Sequence, residues 1–132
     1  VSSAAIDVVA GLIRDEAGRY LITRRRTGTH LAGLWEFPGG KREAEETLEE
    51  SLARELSEEL GAVFSIGERI ETVRWEYPEK TVVLHFFRCR VAGGTVVPRE
   101  GQMMAWVAPA DFGGYDFPPA DAVLLARLAA DA

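Results

Sequence analysis

Glutamates crowd one stretch of this chain. Eight of its 21 acidic residues lie between positions 43 and 59, as Glu43, Glu45, Glu46, Glu49, Glu50, Glu55, Glu58 and Glu59. Three of them, Glu55, Glu58 and Glu59, stand at i, i+3 and i+4, so on a helix they project together over about 100° of arc. Carboxylates that close repel one another, and some hold a proton unless a cation lies between them. A hard divalent ion such as magnesium suits oxygen ligands of this kind and keeps waters and substrate phosphates in its shell. Arg54, beside the three, can orient a carboxylate or hold another segment in place. A separate basic run, Arg24-Arg25-Arg26, is suited to phosphates. Metal on the first stretch and phosphate on the second is one use of this division; two solvated faces is the other.

The carboxylates need a carrier, and the spacing predicts a helix over residues 48–60. Leu48, Leu52, Leu56 and Leu60 recur at every fourth position as an apolar stripe that can dock on a sheet. Thr47 followed by Glu50 reads as a capping box, and Gly61 stops the helix. Ahead of it, residues 6–13 and 20–25 read as strands joined by the turn Asp15-Glu16-Ala17-Gly18. A loop over 27–33 and an extended segment over 34–37 follow, and Pro38-Gly39-Gly40 breaks the chain. Residues 69–77 and 81–91 read as a long hairpin around Pro78-Glu79-Lys80. Val83, His85, Phe87, Cys89 and Val91 share one face of its second strand, while Val82, Leu84 and Phe86 begin the other. Two apolar faces predict a central strand covered on both sides. One more strand over 103–107 and a helix over 118–130 complete an α/β fold, a mixed sheet with a helix on each side in an α/β/α sandwich.

At 132 residues the chain fits one domain spanning 1–132. Its apolar share of 47% and charged share of 27% exclude a long disordered polymer. No apolar run approaches the roughly 20 residues that span a bilayer, so no membrane partner is expected. A net charge of −6 argues against broad binding to duplex nucleic acid. Cys89 is the only cysteine, which rules out an internal disulfide and argues against a cysteine-based zinc site. The opening Val1-Ser2-Ser3 has no basic run followed by an apolar stretch, and the expected location is the cytoplasm.

Read as a string, residues 40–62 are GKREAEETLEESLARELSEELGA. This resembles the Nudix box, G-x5-E-x7-R-E-U-x-E-E-x-G-U, where U is a bulky aliphatic residue. Gly40, Glu46, Arg54, Glu55, Leu56, Glu58, Glu59 and Gly61 all fall in place, and only Ala62 is smaller than the pattern asks. The resemblance implies a hydrolase that splits a nucleoside diphosphate linked to another group, with magnesium, or manganese in its place. It implies Glu55, Glu58 and Glu59 as metal ligands, Arg54 as their organiser and Glu46 as a stabilising partner. It implies the Gly39 and Gly40 carbonyls in the metal shell, with Gly40, Glu46 and Gly61 shaping the motif.

Further segments are similar to the MutT branch of that family: Ile22-Thr23-Arg24-Arg25, residues 34–41, Arg99-Glu100-Gly101-Gln102, and Asp116-Phe117-Pro118-Pro119-Ala120. That branch cuts nucleoside triphosphates, notably 8-oxo-dGTP, to the monophosphate and pyrophosphate by water attack at the β phosphorus. The attacking water needs a carboxylate base; Glu55 is the first choice and Glu100, also a candidate ligand, the second. Arg25 is placed to hold phosphate or sugar, with Arg24 and Arg26 pointing to the surface. Lys41 either contacts phosphate or is solvated, and Phe37 either walls the base pocket or belongs to the core. His85 reads as a hydrogen-bonded core histidine, His30 as an exposed loop residue and Cys89 as a small buried hydrophobe. Trp35, Trp75 and Trp106 read as core or pocket rim, and Met103 and Met104 as packing.

Asp121 departs from the branch, which has Asn after Phe-Pro-Pro-Ala. An Asn amide can donate to guanine O6 and accept the N7 hydrogen that 8-oxidation creates, whereas an ionised Asp only accepts. Cytosine, whose N4 amino group donates to carboxylates, is therefore the alternative base, and a first-turn helix residue is the plain reading of Asp121. A nucleotide-binding module without catalysis is a further alternative, though every box glutamate is present. Attachment as the base-recognition part of a DNA-repair enzyme is weakened because these residues include no second domain. The expected partner is a nucleoside triphosphate, and the chain a monomer or homodimer.

Overall fold

A computed structural model describes residues 5–25 and 32–132. The expectations for Val1-Ser2-Ser3, Arg26 and His30, and most of the 27–33 loop, lie outside the described residues. The chain forms β1 (Ile6–Ile13), β2 (Tyr20–Arg24), β3 (Trp35–Glu36), β4 (Gly39–Lys41), α1 (Leu48–Leu60), β5 (Val63–Glu76), β6 (Thr81–Gly93), β7 (Met103–Val107) and α2 (Ala122–Ala130). The expected α/β sandwich is present, with its strands shared between two sheets. One has the order β4-β1-β6-β5 and is mixed, since β1 runs parallel to β6; the other is antiparallel, in the order β3-β2-β7. The Asp15–Gly18 turn therefore joins strands of different sheets. Asp15 holds that turn by accepting from the Ala17 and Arg19 amides and from Arg19 Nε.

Alternation along β1 explains the layers. Val9 and Ile13 face α1, packing with Leu52, Leu56, Leu60, Phe64, Phe87 and Cys89. Ala10 and Leu12 face the other way, into a core shared with Tyr20, Ile22, Phe37, Phe86, Phe112 and the α2 residues Leu124 and Leu128. Strand β6 lies between β1 and β5 and feeds both cores, as its two apolar faces predict. His85 is buried there, with Nε2 2.9 Å from Asp7 Oδ1 and Nδ1 3.2 Å from Arg69 Nη1. Cys89 is buried too, its Sγ donating to the Phe87 carbonyl, and burial pushes its thiol up to about 12.

Helix α1 keeps the predicted bounds because both ends are closed. Thr47 Oγ1 accepts from the Glu50 amide while Glu50 Oε1 accepts from the Thr47 amide, and Gly61 ends the helix at φ 66°. Such reciprocal caps satisfy amides that no helical carbonyl can reach.

Three expectations change. Pro38-Gly39-Gly40 does not simply break the chain, because Gly39–Lys41 pairs antiparallel with β1. A Cβ on Gly39 would stand 1.9 Å from the Val9 carbonyl oxygen, so this approach is open to glycine alone. Strand β5 begins at Val63 rather than Arg69; its register shifts around Ile66, Arg69 and Glu71 break the two-residue alternation that marks a strand. The last helix begins at Ala122, with a 3₁₀ turn at Pro119–Asp121 before it, where Pro118 and Pro119 supply no amide hydrogen. A second 3₁₀ turn, Pro109–Gly114, joins β7 to this region.

Candidate active site

The flanks of α1 decide what its glutamates can do. Leu52, Leu56 and Leu60 are fully buried on the sheet side, and Glu59, one residue from Leu60, is carried inward with them to 9% exposure. Glu55 is half-buried, and Glu58, with its side chain 55% exposed, stays on the outer flank. Arg54 ties the group together. Its Nε and Nη2 grip the two Glu46 oxygens at 2.7 and 3.0 Å, and Nη1 donates to Glu55 at 3.1 Å and to Glu58 at 3.4 Å. The forked bond to Glu46 raises Arg54 above its usual value and holds the Glu46 carboxyl below its own. Gly40 passes so close that a Cβ there would come within 2.5 Å of the Glu55 carboxylate.

Glu55 and Glu59 open into a cavity of about 510 Å³ whose walls come from β1, β2, β4, β6, the β3 region, the β5–β6 turn, the loop before β7 and the segment just before α2. Electrostatic neighbours give its order. Burial first, then Glu36, Glu55 and Glu100, push Glu59 up to about 9, while Arg25 acts the other way. Burial also raises Glu55, with Glu58 and Glu100 adding to it against Arg54. Glu59 Oε2 is buried with no hydrogen-bond partner. Next come Glu36 and Arg25, joined at 2.9 Å, with Glu36 raised by burial. Beyond them lies Asp121, only 5% exposed and pushed to about 7 by burial and then by Glu36. Tyr77, which lines the same cavity, is raised by burial and then by the Asp121 charge.

The remaining expected residues sort by the same cavity. Arg25, Lys41, Gly39 and Gly40 line it, as does Glu100 from the loop before β7. Phe37 fills both of its possible places. It is 3% exposed among Tyr20, Phe86 and Phe112, yet it also lines the cavity, stacked on Phe117 at 5.7 Å. Asp121 sits at the N-cap position of α2 but makes no side-chain capping bond, which leaves its carboxyl to the cavity. Glu58 does not line the cavity, and neither do Trp35, Trp75 and Trp106. Arg24 reaches the cavity mouth while its Nε donates to the Gly33 carbonyl at 3.1 Å.

Comparison with known proteins bears on this arrangement directly. Residues 9–127 match the model of the NUDIX domain. The chain belongs to the Nudix family. This Nudix chain is 42% identical to the 8-oxo-dGTP diphosphatase of Haemophilus influenzae, over 93% of its own length and 90% of that protein's. It is 37% identical to the CTP pyrophosphohydrolase of Escherichia coli, over 91% and 88%. Among solved structures, the MutT protein of Methanosarcina mazei superposes with a TM-score of 0.86 at 30% identity, covering 99% of this chain and 97% of that one. No helix of the described residues is long and apolar enough to cross a membrane.

Nudix hydrolases generally need a divalent metal, and the donors of this one fit such an ion. All are carboxylate or carbonyl oxygens, one of them orphaned and buried, and the carboxyls resist ionising together. Hard cations take such donors. Among the described residues no three His, Cys, Asp or Glu side chains already enclose an ion-sized point; Arg54 draws Glu55 and Glu58 to itself. The sequence assigned no role to several polar cavity residues of this Nudix fold, among them Glu36, Tyr77, Lys80 and Gln102, although Glu36 and Gln102 lie in segments similar to the MutT branch. A signal existed for Glu36, a lone carboxylate between Trp35 and Phe37 in an extended segment. Tyr77 and Lys80 flank a hairpin turn and look like ordinary turn residues.

Proposed function

We propose that this Nudix hydrolase is a metal-dependent nucleoside triphosphate pyrophosphohydrolase of the MutT type, one domain over residues 1–132. It converts oxidised purine nucleotides such as 8-oxo-dGTP to the monophosphate and pyrophosphate, acting in the cytoplasm on free nucleotides rather than duplexes, as a monomer or homodimer. The observation that carries this reading is the single cavity that leads from Glu55, Glu59 and Glu100, past Arg25 and Glu36, to Phe37 and Asp121. A charged end and an aromatic, acid-lined end are what a nucleotide's phosphates and base require. The relatives named above support the reaction class.

Magnesium, with manganese as substitute, would be held by Glu55, Glu58 and Glu59, the Gly39 and Gly40 carbonyls, and Glu100. When bound it would neutralise phosphate charge and favour ionisation of a nearby water. Glu55 takes the proton of the water that attacks the β phosphorus, with Glu100 as second base. Arg54 orients Glu55 and Glu58, and its grip on Glu46 fixes its own direction. Arg25 donates to phosphate or sugar and Lys41 adds positive charge at the mouth. Phe37 offers its ring to the base. A protonated Asp121 can donate to guanine O6, imitating the amide that this position lacks.

The same pocket favours one other substrate. Glu36 and Asp121 place two carboxyls at the base end, and ionised carboxylates accept from cytosine N4. Pyrophosphate release from a panel of oxidised and normal nucleoside triphosphates, with and without magnesium, tests both. The highest kcat/KM on 8-oxo-dGTP supports the first reading; the highest on CTP or dCTP replaces it with the second. Binding without pyrophosphate release makes the chain a nucleotide-sensing module.

A further inference from the structure

Glu100 is carried by residues 95–102, a stretch with neither helix nor strand, yet it lines the same cavity as helix-borne Glu55 and Glu59. A loop side chain held over a helix needs fastening. Two backbone bonds begin it, from the Val97 amide to the Leu60 carbonyl at 2.9 Å and from the Arg99 amide to the Glu59 carbonyl at 3.0 Å. These carbonyls belong to the last turn of α1, where no helical amide can reach them. The chain then reverses at Gly101, φ 71°. Beyond the reversal the Gln102 side chain closes the loop on itself and on the helix. Its Oε1 accepts from the Glu100 amide at 3.0 Å, and its Nε2 donates to the Glu59 carbonyl at 3.0 Å.

We propose that Gln102 is a positioning residue whose amide fastens the Glu100 backbone to the last turn of α1 and so holds Glu100 over the helix carboxylates. The chemistry demands an amide. One end of the side chain must accept from an N–H while the other donates to a carbonyl, and only Asn and Gln carry both groups on one carbon. A glutamate would set an oxygen against the Glu59 carbonyl, and a methionine would keep the length and lose both bonds. The inference rests on the reading of Glu100 as ligand or base.

A double-mutant cycle between Gln102→Met and Glu100→Gln tests it, since residues acting through one another are not additive. In the wild-type background Gln102→Met should lower kcat about tenfold with KM within about twofold, and weaken Mn2+ binding, followed by the EPR signal of free Mn2+, about tenfold. In the Glu100→Gln background it should lower neither further. Losses that multiply across the cycle, or a Gln102→Met enzyme within about twofold of wild type, overturn the inference while leaving Glu100 its role. A silent Glu100→Gln removes the role of Glu100, and the inference with it. Should Gln102→Met not fold, Gln102→Asn, which keeps both groups on a stem one methylene shorter, enters the same cycle with the same outcomes expected.

Discussion

The two ends of the cavity are built in opposite ways. At the carboxylate end, Glu55 and Glu59 come from one helix, with Arg54 of that helix bonded to Glu55 and Glu58 just outside the cavity wall. At the base end, Glu36 comes from β3, Phe37 from the residue after it, Tyr77 from the β5–β6 turn and Asp121 from the 3₁₀ turn before α2. The first end is set mainly by local geometry, the turns of α1 and the Arg54 bonds to Glu46 and Glu55, with Glu100 joining it from the loop before β7. The second exists only once two sheets and a helix have come together. On the proposed function, the reaction would depend mainly on the first end and substrate choice on the second, so the two could vary independently.

Substitutions can break that separation, and the largest effect belongs to the helix. Glu55→Gln, Glu58→Gln or Glu59→Gln keeps shape but loses charge, and kcat should fall by about 10²–10⁴, with the ratio of 8-oxo-dGTP to dGTP turnover unchanged. Near-normal magnesium-dependent activity in Glu58→Gln would falsify its place among the ligands. Glu100→Gln, on the loop, should cost about tenfold or more in kcat; a change within about twofold returns it to the solvated surface.

At the base end the expected signature is pH and selectivity. If a protonated Asp121 reads 8-oxo-dGTP, kcat/KM for that substrate should fall as pH rises through about 7, and Asp121→Asn should remove the fall. Loss of kcat/KM for CTP alone in Asp121→Asn would instead assign the base end to cytosine.

The smallest effect is on stability without metal. Glu59 is raised from 4.5 to about 9 in the folded chain, so the folded state holds its proton where the unfolded state has lost it. Its contribution is therefore whole below about 4.5 and is lost as pH rises through about 9. With chelator present, Glu59→Gln should melt higher than wild type at pH 8–9, by about 3–6 °C per kcal/mol recovered, and show no such gain at pH 4. A melting curve for wild type that stays level from pH 5 to 9 would mean that Glu59 is better solvated than its burial indicates.

Legibility in the sequence follows the same division. The α1 bounds, its capping box and the leucine stripe were readable because each depends on residues within a few turns, whereas the grouping of Glu46 with Arg54 and Glu55 came from the resemblance to the Nudix box. His85 as a hydrogen-bonded core residue was readable from its apolar strand face. The split into two sheets was not, since nothing near the Asp15–Gly18 turn records that β1 and β2 part company. Strand β4 was hidden because two glycines signal a break unless the neighbouring backbone is known to lie within contact. Glu36 carried a local signal but not its partner, because Arg25 lies on another element, and Tyr77 was hidden as an ordinary turn residue. Of the three helix carboxylates grouped by spacing, Glu55, Glu58 and Glu59, Glu58 is the one outside the cavity wall.

The burial of Cys89 bears on how long such a protein would last at its work. Peroxides attack thiolates, and a thiol pushed to about 12 offers almost none at neutral pH. The chain's only cysteine is thus sealed between β6 and α1, 7% exposed, where sulfenic acid formation is slow. Its vulnerable sulfur is Met103 instead, 57% exposed on β7 beside the Arg24 guanidinium. Oxidation there would add a polar oxygen at the surface and leave the packed interior untouched.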